Sequence, residues 1–137
     1  MECIFCAIVA GQATSWPVYE DEDCIAFLDV NPLTRGHTLV IPRRHAADLL
    51  ALSEREAEQV MRATHRVANV LEARLQPAGL NLLQANRAAA MQTVFHMHMH
   101  VVPRYESDGL MPSARWRPAS AEAADLAAVR DLITSAP

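Results

Sequence analysis

His96, His98 and His100 stand at strict alternation within Thr93-Val94-Phe95-His96-Met97-His98-Met99-His100-Val101-Val102-Pro103-Arg104. A strand has a side-chain period of two, so the three imidazoles share one face and Met97, Met99 and Val101 the other. The apolar set reads as the core side of a sheet and the histidines as its open side. Imidazole carries, gives up or shares a proton near neutral pH, which makes such a face reactive. Two chemistries compete for it: metal coordination, which H-x-H spacing often serves, and nucleophilic or acid–base catalysis by the rings themselves.

A second group lies far away in the chain. Three cysteines, two of them as Cys3-x-x-Cys6, do not make a secreted disulfide framework. The pair is a metal half-site or a redox motif, and metal is favoured because no strand precedes Cys3. Cys3, Cys6, His45 and one histidine of the triplet would close a tetrahedral zinc site of two thiolates and two imidazoles. The Cys6–His45 separation is too long for a zinc finger, and two buried free thiols are the alternative. Such a zinc would tie the N-terminal segment to the sheet and contribute folding energy. Cys24 reads as a small core residue, and His65 as a surface histidine.

The elements that must position these groups follow from pattern. At 137 residues, 51% of them hydrophobic, the chain suits one domain with a real core. Ile4, Phe5, Ile8 and Val9 recur at helical spacing and predict a short helix running to Gly11. Residues 18–20 and 24–28 about the acidic turn Asp21-Glu22-Asp23 predict a hairpin, and 36–42 the next strand, ended by Pro42. Ser53-Glu54-Arg55-Glu56 is a capping box opening a long helix with Ala57, Val60, Met61, Thr64, Val67, Ala68, Leu71 and Leu75 on one stripe. Pro77 and Gly79 are expected to stop it. Residues 80–84 predict a strand, and 86–92 a loop feeding the histidine strand. A last helix over 120–135 has Leu126, Val129 and Ile133 on one side. Five short strands with loops too short for crossovers predict an antiparallel α+β domain.

Net charge is −4, every cationic residue is arginine, and no basic tract exists, which speaks against a nucleic-acid footprint. No apolar run approaches a membrane span, and residues 1–10 carry no basic leader, so a cytoplasmic protein without membrane contact is expected.

Cys3-Ile4-Phe5-Cys6-x-Ile8, then Phe27-x-Asp29-x-x-Pro32-x-x-x-Gly36-His37-Thr38-Leu39-Val40-Ile41-Pro42-x-x-His45, then Gln92-Thr93-Val94-Phe95-His96-x-His98-x-His100-Val101-Val102-Pro103-Arg104 resemble the histidine triad (HIT) superfamily, nearest its nucleotide-binding branch. The resemblance spans residues 1–104, with 105–137 as an extension of a single domain. It implies an α+β fold with a five-stranded antiparallel sheet, one long and several short helices, paired as a homodimer. It further implies hydrolysis or transfer of nucleoside monophosphates through a covalent nucleotidyl-histidine.

Carried over by position, His98 is the nucleophile, His100 contacts a phosphate oxygen, and His37 and His96 support the triad. Ile4, Phe5, Ile8, Phe27, Val30 and Leu39 form the base pocket, and Asp29 holds the ribose hydroxyls. Asn86, Gln92, Thr93 and the amide of Met91 fall in the phosphate loop. Cys3, Cys6, His45 and His96 hold a structural zinc that takes no part in the chemistry.

The resemblance breaks at two places. The family's loop before the triad is glycine-rich, whereas Asn86-Arg87-Ala88-Ala89-Ala90-Met91-Gln92 has no glycine and is one residue shorter. Non-glycine residues resist positive φ, which gives the phosphate cradle reason to follow another path. The segment after Arg104 matches no pattern, and Trp116 in it reads as an aromatic anchor.

The leading expectation is a hydrolase of purine nucleoside phosphoramidates or other nucleotide conjugates. Hydrolysis or phosphorolysis of dinucleoside polyphosphates, a non-catalytic nucleotide-binding protein, and metal catalysis by the three histidines are the alternatives.

Overall fold

The computed structural model describes residues 2–110 and 120–135. In chain order the elements are α1 (Ile4–Val9), β1 (Pro17–Glu20), β2 (Cys24–Leu28), β3 (Thr38–Pro42), α2 (Glu54–Leu75), β4 (Gly79–Leu83), β5 (Met99–Arg104) and α3 (Ala123–Thr134). The five strands form one antiparallel sheet in the order β1-β2-β3-β5-β4. This is the expected α+β architecture. Trp116 lies outside the described residues.

Alternation divides the central strands between two faces. Cys24, Ala26, Val40, Met97 and Val101 pack against Val60, Ala63, Val67 and Leu71 of α2. Ile25, Phe27, Leu39 and Ile41 point the other way and meet Phe5 of α1. Both faces are covered, which is why β3 is buried along its whole length.

Helix α2 begins as its sequence dictates. Ser53 accepts from the Glu56 amide and the Glu56 side chain accepts from the Ser53 amide, a reciprocal cap that contributes roughly 1 kcal/mol. Its end falls just before Pro77, as expected, but Gly79 takes no part in it. Gln76, at φ 50°, takes the left-handed position, while Gly79 is already the first residue of β4. Pro77 forbids the next helical hydrogen bond, so the chain must turn one residue before it. Gly36 is required where it stands: its φ is +90°, and a Cβ there would collide with Leu75.

Two expectations for the histidine segment need correction. The ladder starts only at Met99; β5 pairs with β3 through Met99, His100 and Val101. His96 and His98 precede it because the Met97 amide donates to Ala46 of the 43–51 connection, at 2.7 Å, and not to a strand. The histidine face is also not open. His96 is fully buried and His98 is 6% exposed, because α1 folds over them and places the Phe5 ring edge-on to both.

Helix α3 forms within the expected span but buries none of its side chains. No helix among the described residues is long and apolar enough to cross a membrane.

Candidate functional site

Cys3, the N-cap of α1, and Cys6, in its first turn, meet His45 and His96. The Cys6 Sγ lies 3.3 Å from His45 Nδ1 and 3.5 Å from His96 Nδ1. The Cys3 Sγ lies 3.5 Å from His96 Nδ1, and the two Nδ1 atoms are 3.3 Å apart. Tetrahedral zinc, with Zn–N about 2.0–2.1 Å and Zn–S about 2.3 Å, requires ligand separations of about 3.4 Å (N–N) and 3.6 Å (N–S). The four separations match edges of such a tetrahedron, and all four ligand atoms lie within 4.8 Å of one another. His96 Nε2 donates to the Pro42 carbonyl at 2.8 Å, which leaves Nδ1 bare and facing the thiols. Burial and then the neighbouring Cys3 push the Cys6 thiol up. The donor set and its spacing fit zinc, which would clamp α1 to the sheet.

His98 has a different orientation. Its Nδ1–H donates to the carbonyl of His96 at 2.8 Å, so the lone pair sits on Nε2. The third ring is set by a chain that starts in the 29–37 loop. The Leu33 amide donates to His37 Nδ1 at 2.9 Å, so the proton of His37 is on Nε2, which donates to His100 Nδ1 at 2.9 Å. His100 therefore presents an Nε2–H. Asp29 stands 3.5 Å from His37 Nε2. The loop is pinned by Thr34, whose hydroxyl donates to Pro103 O at 2.6 Å, and by Tyr105, whose hydroxyl donates to Arg35 O.

Burial, then the neighbouring His98 and His37, holds His100 down to about 4, so its ring is neutral at pH 7. Burial also lowers His37, against the opposing pull of Asp29.

These directions decide against one ion shared by the triplet: His96 faces the thiols, His98 a carbonyl and His100 another histidine. Asp29, His37 and His100 also converge within metal-binding reach. A cation on His37 Nε2 would leave that ring with no proton, since Nδ1 already accepts from Leu33. Leu33, His37 and His100 form a hydrogen-bond relay with Asp29 beside it.

A cleft of about 440 Å³ opens beside the triad, within the range of small-molecule sites. Ile4, Phe5, Ile8, Phe27, Val30 and Leu39 line its apolar part, and Asp29, Thr93, His98 and His100 also line it. Thr14, Ser15, Leu28, Asn31 and Val94 line it too, and sequence reasoning missed them. Val94 was findable, since it has the parity of the histidines. Asn31 was signalled by Asp29, whose Oδ1 accepts its amide in an Asx-turn at 2.8 Å. Nothing in the sequence marks Thr14 or Ser15.

The rest of the phosphate-loop set is placed apart from the cleft. Asn86 Oδ1 accepts from the Leu49 amide at 2.8 Å, and its amide group exchanges hydrogen bonds with Gln84. The Met91 amide donates to Ala88 O at 3.0 Å. Gln92 is buried and acts as a pin: Oε1 accepts from the Arg87 amide, and Nε2 donates to Ala47 O and Val94 O. The loop nonetheless bends as a glycine loop would. Arg87 and Met91 both adopt φ 72°, so the absent glycines did not abolish positive φ.

Comparison with known proteins gives this geometry its context. A family model described as the HIT domain matches residues 10–107. A crystal structure of a HIT-family member from Bacillus subtilis is 39% identical with a TM-score of 0.90, covering 97% of this chain and 95% of that one. A zinc-bound histidine triad family protein from Mycobacterium smegmatis is 43% identical with a TM-score of 0.77, covering 81% of each chain. The adenylylsulfatase HINT3 of Arabidopsis thaliana is 35% identical over 85% of this chain and 59% of that relative. A sheet of this order, with three alternate histidines leading into and along β5 beside an apolar cleft, defines an α+β protein of the histidine-triad class. The chain belongs to the HIT family.

Proposed function

We propose that this protein hydrolyses purine nucleoside phosphoramidates or related nucleoside monophosphate conjugates, with His98 as nucleophile. The observation that carries the reading is the orientation of His98. Its Nδ1 is held by the His96 carbonyl while its side chain borders the nucleoside-sized cleft. His98 Nε2 attacks the α-phosphorus and the P–N or P–O bond to the leaving group breaks, the leaving group taking the electron pair and a proton from solvent, which the attacking water returns in the second step. Water then attacks the nucleotidyl-histidine, releases the monophosphate and regenerates the ring. His100, neutral and carrying its proton on Nε2, donates to a phosphate oxygen and stabilises charge there. Ile4, Phe5, Ile8, Phe27, Val30 and Leu39 would enclose the base, and Asp29 would receive the ribose hydroxyls. The likeness to an adenylylsulfatase supports a hydrolase acting at an adenylyl group.

Cys3, Cys6, His45 and His96 would hold zinc as a structural clamp, a reading that the zinc-bound mycobacterial relative supports. When bound, the ion supplies rigidity and no reactive oxygen. We also assign a homodimer and a cytoplasmic location. Among the described residues β4 is an outer strand with Leu82 and Leu83 exposed, which supports the pairing.

One observation favours a nucleotide-binding protein with little turnover: the Met91 amide and the Asn86 side chain are already hydrogen-bonded within the loop. Turnover of adenosine 5′-phosphoramidate by the intact protein and by His98→Ala separates the two. Release of AMP that disappears in the variant supports the hydrolase. AMP binding without turnover in either form supports the binder, and full activity in His98→Ala contradicts the mechanism.

A further inference from the structure

We propose that Cys3 and Cys6 are a hydroperoxide-sensitive pair whose closure to a disulfide disables the nucleotide cleft. The proposal rests on the zinc and nucleotide readings above.

The pair is reachable. Cys3 and Cys6 are only half-buried, and together with His45 they line a second cavity of about 630 Å³ on the outer side of the cluster. The pair is also close enough to join. Cys3 is the N-cap of α1 and Cys6 its third residue, and the Cys6 amide donates to the Cys3 Sγ at 3.5 Å. Positions three apart on a helix bring their Cβ atoms to about 5–6 Å, a spacing that modest adjustment closes to a disulfide. The third cysteine takes no part: Cys24 is fully buried and burial pushes its thiol up to about 12.

The same short helix joins the thiols to the cleft. Six residues are far too few to hold a helix by themselves. Within α1 only Phe5 is buried, with Ile8 and Val9 half-buried against the same cluster, and the polar ties of the helix to the rest of the site run through Cys3 and Cys6 to His45 and His96. Yet Ile4, Phe5 and Ile8 form one wall of the cleft, and the Phe5 ring sits edge-on to His98 with centroids 5.3 Å apart. A disulfide removes both thiolates from the ligand set. Two imidazoles, one of them exposed, do not retain zinc, and the wall loses its anchor.

The chemistry balances with a hydroperoxide as the two-electron oxidant. One thiolate attacks the O–O bond, forming S–O and expelling hydroxide or alkoxide, which leaves protonated. The second thiolate attacks that sulfur; S–S forms, S–O breaks, and the departing hydroxide leaves as water. Two thiolates, one hydroperoxide and two protons give the disulfide, water and a second water or an alcohol.

The test uses the full chain, zinc-loaded and reduced. AMP affinity is measured by calorimetry before and after hydrogen peroxide, zinc release with a chromogenic chelator, and the cross-link by peptide mapping. We expect a Cys3–Cys6 disulfide, released zinc and AMP binding weakened about tenfold or more, the scale of losing one well-packed apolar side chain. Thiol reductant plus zinc restores binding, and Cys24→Ala behaves identically. Complete disulfide formation with unchanged AMP affinity overturns the switch, as do thiols that peroxide leaves reduced, a protein that takes up no zinc, or protection in Cys24→Ala. Failure of the reduced, zinc-loaded protein to bind AMP overturns the nucleotide reading and the switch together.

Discussion

His37 donates from Nε2 to Nδ1 of His100 across 2.9 Å, and this one hydrogen bond fixes which nitrogen of His100 faces the cleft with a proton. The direction is imposed from behind, because the Leu33 amide occupies the other nitrogen of His37. A residue outside the cleft lining thereby sets the donor that the cleft-lining His100 presents. His37→Ala removes the partner and lets His100 take either tautomer. We expect kcat for adenosine 5′-phosphoramidate to fall roughly tenfold to a hundredfold, within the scale of one acid–base contribution, with KM little changed. Unaltered kcat would contradict the relay.

The buried rings also make the fold acid-sensitive. An unfolded chain protonates His100 near its ordinary value of 6.5, whereas the folded chain does so only at about 4. Between those values the unfolded state binds more protons. Stability is therefore complete above about pH 6.5 and is lost as the pH falls toward 4, and the lowered His37 acts in the same direction. For half-buried His100 the loss is on the order of 1–2 kcal/mol over the window. Urea midpoints of metal-free protein should be lower at pH 5 than at pH 7, and less so in His100→Gln. Equal midpoints would contradict it.

Arg87 adopts φ 72° and ψ 161°, a region that side chains other than glycine enter only with strain of roughly 1–3 kcal/mol. Its side chain is 72% exposed and lies 3.5 Å from Asp48, an ion pair that offsets little of that. Arg87→Gly should therefore raise stability by about 1 kcal/mol, whereas Arg87→Ala should not. Denaturant unfolding of both variants checks this, and a destabilised Arg87→Gly would contradict it.

The sequence disclosed whatever depends on neighbours along one strand or helix. The parity of His96, His98 and His100, the reciprocal cap at Ser53 and the Cys24–Leu28 hairpin strand all follow from local spacing. It did not disclose contacts made across the chain. Phe5 reaches the triad only because α1 folds over the sheet, so the burial of His98 was invisible. The Met97 amide finds Ala46, and with it the strand loses His96, Met97 and His98. Pro77 marked the end of α2 in the sequence, but the left-handed turn there falls on Gln76, and Gly79, the other expected stop, opens β4 instead. Asn86 has the right type and place for a phosphate contact, but a nearby Gln84 claims its amide. Thr14 and Ser15 enter the cleft from a stretch without pattern.

Metal removal should affect stability before chemistry. Cys3, Cys6, His45 and His96 join α1 to the 43–51 connection and to the triad, so zinc held there would be linked to folding. Chelation, or Cys3→Ser, should lower the melting temperature by several degrees, on the order of 1–3 kcal/mol of lost clamping. KM should rise as the Ile4–Phe5–Ile8 wall loosens, with kcat retained to within about tenfold. Abolished kcat in a chelated protein that still binds AMP would mean that the ion takes part in the reaction.

The central claim is that the free Nε2 of His98 forms a bond to phosphorus. Rapid quenching of the protein with adenosine 5′-phosphoramidate, followed by peptide mass mapping under conditions that preserve phosphohistidine, tests it most directly. We predict an adenylyl group on residue 98, appearing before AMP is released and absent from His98→Ala. An adenylyl group on His96 or His100, or steady AMP release with no protein adduct at any time, would contradict it.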